Sequence, residues 1–242
     1  MRLQHFINEK VDDIVDILKD SCDDYLKEMT PMIRPSSPGV GWVYRGVAIT
    51  YDDGYKPVYS AISDDNGLLK YKSYLSVGRR PRLASYIMHQ LFNEAGKKVF
   101  GWKIRNGVST SSYIDNLSTF GQPMIFLPIG EYEFVWSPFL IDFNQDLSMH
   151  IIRTLKLHDE PEKGQAIIDV IERHYDPKKT EEDYYKICQP IIDDFVKKAY
   201  KSTDFRGAVK SGNEIDFKCK SYYLVADRNN FFKALKKGGW LK

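Results

Sequence analysis

Three short segments carry residue types that could act on a charged, hydroxyl-rich ligand. The first is Tyr44-Arg45-Gly46, inside WVYRGVAIT (42–50). An arginine near the end of a β-branched, aromatic strand offers a planar guanidinium fork suited to pyrophosphate. The glycine after it lets another group approach the backbone closely. The plain alternative is a surface arginine before a turn. The second segment is GVSTSSYIDNLSTFG (107–121), with four small hydroxyl residues in a row, Ser109 to Ser112. Short hydroxyls at a strand end can hold a ribose or an amide. Equally, Ser111 or Ser112 can cap a helix over 113–120, and both readings can hold together. The third is SGNEIDFKC (211–219), where Glu214 opens an alternating strand. A carboxylate at a strand start can accept a ribose hydroxyl and stabilise positive charge developing at a sugar carbon. The alternative is an exposed edge glutamate.

These segments need elements to position them. Val11, Val15, Leu18, Cys22, Tyr25 and Met29 form one apolar stripe, so residues 5–30 read as an amphipathic helix. TPMIRPSSPGVG (30–41) breaks it, either as a linker after a helical arm or as a loop within one domain. WVYRGVAIT reads as a strand, and residues 51–78 as loop and hairpin with DDG and DNG turn signals. RPRLASYIMHQLFNEAG (80–96) reads as a helix opening near Pro81 and closing at Gly96, with His89 on a helix face or in the core. QPMIFLPIG (122–130) is apolar enough for a buried strand, and EYEFVWSPFLIDF partly alternates before a Ser-Pro turn. Residues 143–205 read as mainly helical, with Pro190 expected to break or kink the second long helix. NEIDFKCKSYYLVAD (213–227) reads as one or two strands, and NNFFKALKKGGW as a basic helix. The order predicts an α+β chain.

Composition narrows the classes. Net charge is +2, so no strong global field is expected. Residues 206–242 hold nine Lys/Arg against three Asp/Glu, which suits an acidic partner, a nucleic acid or simply a solvated face. Cys22, Cys188 and Cys219 form no CxxC, and the five histidines show no HExxH or HxH spacing. Neither a disulfide framework nor a metal is expected, and Cys219 reads as a small buried residue. No apolar run has membrane length and no leader-like segment opens the chain, so a soluble cytoplasmic protein is expected, without a membrane partner. P-loop, GxGxxG, GxSxG and kinase signatures are absent.

Taken in chain order, the three segments resemble the ADP-ribosyltransferase superfamily, in the branch marked by an Arg, a Ser-Thr-Ser and a Glu. The first motif corresponds to Tyr44-Arg45-Gly46. The second corresponds to Val108, Ser109-Thr110-Ser111, the short helix 113–119 and Phe120-Gly121, with MIFLPIG as the buried strand that follows. The third corresponds to Glu214-Ile215. The similarity extends to ADP-ribosyltransferase-like proteins of bacterial viruses and covers roughly residues 42–136 and 211–226. It implies a split β-sheet core in a domain over 41–242, with an N-terminal helical arm over 1–40 and a helical insertion over 143–205. It further implies NAD as substrate, no metal, and mono-ADP-ribosyl transfer to a macromolecular acceptor, protein rather than nucleic acid, in the cytoplasm (the host's, during viral infection). Nicotinamide is released.

The resemblance also implies residue roles. Arg45 anchors the pyrophosphate beside Tyr44, and the Gly46 backbone meets the nicotinamide amide. Ser109 fixes the nicotinamide ribose and orients Arg45, while Thr110 and Ser111 shape the strand end. Phe120 or Tyr113 packs against the nicotinamide, and Glu214 binds the ribose 2′-hydroxyl. Glu131 and Glu133 form a rival Glu-x-Glu, but the interval from Ser109 to them is too short for the intervening elements. Gly212 stands where arginine-modifying members usually carry a second Glu or a Gln, which leaves serine, threonine, cysteine, another side chain or a base as acceptor. Two other readings are a non-catalytic, binding or virion-associated member of the fold, and a nucleic-acid binder led by Phe231, Phe232, Lys233, Lys236 and Lys237.

Overall fold

A computed structural model describes residues 2–34, 37, 40–47, 50–51, 57–58, 62–63, 66–75, 85–141 and 147–242. The helices are α1 (Arg2–Met29), α2 (Tyr86–Phe100), α3 (Leu147–Leu155), α4 (Pro161–Glu172), α5 (Glu181–Ala199), α6 (Phe205–Ser211) and α7 (Arg228–Lys237). The strands are β1 (Tyr44–Val47), β2 (Thr50–Tyr51), β3 (Pro57–Val58), β4 (Ile62–Ser63), β5 (Leu68–Lys72), β6 (Val108–Ser111), β7 (Gln122–Pro128), β8 (Glu133–Trp136), β9 (Glu214–Lys218) and β10 (Ser221–Val225). The chain is thus mixed α and β. Its contacts fall into two compact units, and the boundary cuts β6 between Ser109 and Thr110.

The first unit comprises Met1–Ser73, Thr110–Tyr132 and Cys219–Lys242. Its antiparallel strands run β4-β5-β10-β7-β1, and Tyr44 also pairs with Ser111 at the end of β6. β7 lies between β1 and β10, so both its edges are paired; α1 and the 3-10 helix Ile114–Phe120 pack against it, and Met124, Ile125, Phe126 and Leu127 are buried. That explains the unbroken apolar run in its sequence. Every member of the α1 stripe from Val11 to Met29 is buried. α7 turns Phe231 inward, edge to face with Trp42 at 5.5 Å, while Lys237 pairs with Asp12 of α1. The helix therefore spends Phe231 on the core rather than on a stacking platform.

The second unit comprises Tyr74–Ser109 and Glu133–Lys218. α2, α3, α4 and α5 share one core, with Phe92, Phe195 and Tyr200 meeting edge to face. β8 and β9 pair antiparallel from Glu133↔Lys218 to Trp136↔Ile215. Two local expectations are corrected here, a break at Pro190 and a helix end at Gly96. α5 runs through Pro190, because Ile191, Ile192, Phe195 and Val196 are all buried. Burial at about 1.5–3 kcal/mol for each such side chain outweighs a proline cost of about 3 kcal/mol. α2 continues past Gly96 and ends at Gly101, whose φ of 80° is the left-handed cap conformation. Gly96 serves packing instead, since a Cβ there would meet Ile104 Cγ2 at 2.6 Å. Ser85 caps α2 by accepting from the Met88 N–H; the expected opening at Pro81 lies outside the described residues, as do the DDG turn and part of the 30–41 loop.

Candidate functional site

Alternation along β9 sends Ile215 and Phe217 to the core and places Glu214 and Asp216 on the opposite face. Both carboxylates meet one cation. Arg105 Nη1 donates to Glu214 Oε1 at 2.9 Å and to Asp216 Oδ2 at 3.1 Å. The second Asp216 oxygen accepts from the Ser109 hydroxyl at 2.6 Å. Ser109 and Glu214, far apart in sequence, are thus joined through Asp216 and Arg105 in one cluster inside the second unit. The Arg105 side chain is 8% exposed and that of Asp216 3%, whereas Glu214 keeps 19%. Glu214 is therefore the acid that a ligand can reach, and Asp216 stands behind it.

Arg105 sits on a tight 3-10 turn, Ile104–Asn106, that is tied to α2. Asn93 of α2, 1% exposed, accepts from the Arg105 backbone N–H at 2.9 Å and donates to Asn106 Oδ1 at 3.1 Å. Gly107 then lets the chain pass the β9 backbone; a Cβ there would meet the Phe217 carbonyl at 2.7 Å. Burial alone pulls the guanidinium pKa down, but Glu214 and Asp216 outweigh it and hold the group above its ordinary value. The Tyr200 hydroxyl is pushed up by burial and by the two acids, against a downward pull from Arg105. The start of β9 is also held: Glu214 N–H donates to the Ile141 carbonyl at 3.0 Å and Asn213 Nδ2 to the Ser137 carbonyl at 2.8 Å.

Tyr44, Arg45, Gly46, Thr110, Ser111, Tyr113 and Phe120 lie in the first unit. Arg45, half-buried on β1, places its guanidinium 5.5 Å from the Tyr222 ring centre. Tyr44 is buried, with Arg228 over its ring at 5.8 Å. Gly46 has a packing reason for being glycine, because a Cβ would meet Phe120 Cβ and the Leu117 carbonyl at 2.8 Å each. Thr110 is buried, and Ser111 accepts from the Tyr113 N–H at 3.0 Å at the entry to a 3-10 helix, Ile114–Phe120. Tyr113 is 54% exposed. Of the rival acids, Glu131 is exposed, and exposed Glu133 pairs with Lys218 at the opposite end of β9 from Glu214. His89 and Cys219 are buried.

Sequence reasoning missed Arg105, Asp216 and Asn93. Asp216 had a signal, being two residues after Glu214 on an alternating strand and so on the same face. Arg105 and Asn93 had none, because their roles depend on tertiary contacts. Among the described residues no helix is long and apolar enough to cross a membrane. The sequence matches no family model, and neither the curated proteins nor the solved structures give a match.

Proposed function

We propose that the chain is an NAD-dependent mono-ADP-ribosyltransferase acting on a macromolecular acceptor, protein rather than nucleic acid. The observation that carries this reading is the cluster in which Ser109, bonded to Asp216, and Glu214, bonded to Arg105, are linked by the Arg105–Asp216 pair. The donor set of the second unit suits a ribose: a hydroxyl at Ser109 and a reachable carboxylate at Glu214. NAD supplies an anomeric carbon with nicotinamide as its leaving group. Glu214 accepts the ribose 2′-hydroxyl and stabilises positive charge as the bond to the nicotinamide nitrogen breaks. Ser109 positions the ribose. The acceptor nucleophile forms the new bond to the anomeric carbon and loses its proton. Nicotinamide release by the wild type, lost in Glu214→Gln, is the expected result. Equal release by the two proteins, or none from either across candidate acceptors, removes the assignment.

One observation favours a second reading, a non-catalytic binding module. Glu214 already has a cation partner in Arg105, as a purely structural acid does. Titration with NAD separates the two: an enzyme site raises the melting temperature with NAD concentration, and a module without affinity for NAD leaves it unchanged.

A further inference from the structure

We propose that Arg105 is a positioning residue for Glu214, holding its carboxylate in one orientation at the exposed edge of the cluster. The inference builds on the reading above for what Glu214 does, but its physical content is independent of it. Three features separate Arg105 from an ordinary surface ion-pair partner. It is buried, with an 8% exposed side chain. One nitrogen, Nη1, serves both acids, so the orientation of Glu214 is tied to that of Asp216 and, through it, to Ser109. Its own backbone is fixed to α2 by Asn93. A flexible lysine at the surface supplies charge without such a fixed geometry.

Two acids share the Arg105 cation here, so removing it takes away the charge that faces both carboxylates. The titratable and polar groups around Glu214 include Arg105 on its turn, Asp216 on β9, Tyr200 at the end of α5 and Ser109 on β6, with the Ile141 carbonyl on its backbone N–H. Of these, Arg105 favours the ionised carboxylate by charge and Asp216 opposes it. Removing Arg105 must therefore make Glu214 easier to protonate and free its side chain to turn. A group that merely filled space would leave both unchanged.

The test is a carbon-13 NMR titration of the Glu214 carboxyl in the full chain, its resonance assigned by loss in Glu214→Gln. Arg105→Met is expected to raise the titration midpoint by about one pH unit or more, and Arg105→Lys by less. Should Arg105→Met not fold, Arg105→Met is compared with its parent in an Asp216→Asn background, where a single carboxylate remains and the same upward move is expected. An unmoved midpoint overturns the proposal. Nicotinamide release is measured on the same proteins. With NAD turnover present, Arg105→Lys is expected to lower kcat about tenfold while KM for NAD stays unchanged. A moved midpoint in a protein that never releases nicotinamide keeps the positioning role and removes the transferase reading. Turnover with an unmoved midpoint does the reverse.

Discussion

The two units hold their candidate residues by different physics. In the second, Arg105, Ser109, Glu214 and Asp216 form a buried ionic cluster whose members compensate one another. In the first, Tyr44, Arg45, Gly46 and Phe120 are held by backbone pairing, ring contacts and close packing. Packing tolerates loss in proportion to what is removed. A charge cluster does not, because deleting one member strands the others.

The contrast breaks first at Arg105. Arg105→Met leaves two acids near each other without their cation and is expected to cost about 3–5 kcal/mol, read from denaturant unfolding. A loss under about 1 kcal/mol would place the cluster in solvent rather than in a buried setting. Ser109→Ala removes the donor to Asp216 Oδ1 and should cost about 2 kcal/mol, as for a hydrogen bond to a charged group. Its effect should be non-additive with Asp216→Asn, since both changes remove the same bond. In the packed region, Gly46→Ala drives a methyl into Phe120 and the Leu117 carbonyl, for an expected cost of about 1–3 kcal/mol. Removing the ring in a Gly46→Ala, Phe120→Ala pair should not restore stability, because alanine keeps its Cβ and both contacts stay.

The smallest effect is shared by both units. Cys22, Cys188 and Cys219 are buried, and burial first of all pushes each thiol up to about 12. A thiol pKa raised in the fold gives stability that is complete below the unfolded value of about 8.5 and is lost as pH rises toward the folded one. Stability should therefore fall by about 1 kcal/mol per thiol by pH 9.5, and Cys188→Ala should make that slope shallower. An unchanged slope would mean that Cys188 titrates alike in both states.

The same division decides what was legible. Periodic burial is written locally, so the α1 stripe, the apolar β7 and the alternating β9 could be read from residue order. So could the Ser111 hydroxyl at the entry to the 3-10 helix. The break expected at Pro190 and the helix end expected at Gly96 did not occur because local propensity lost to packing against α2 and Ile104. In the site, Ser109 and Glu214 were found by residue type. Arg105 was not, because an arginine in KIRNG carries no mark of the two acids on β9 that define it. The expected reason for Gly46, approach of a ligand to the backbone, now stands beside a packing reason supplied by Phe120.

The central claim is that Glu214 acts on NAD. The most direct measurement is nicotinamide release from NAD by the full chain, wild type against Glu214→Gln, with both proteins shown to be folded by equal melting temperatures. Release by the wild type, reduced at least about a hundredfold in Glu214→Gln, is the predicted result. Equal release by the two folded proteins, or none from the wild type with any acceptor offered, contradicts it.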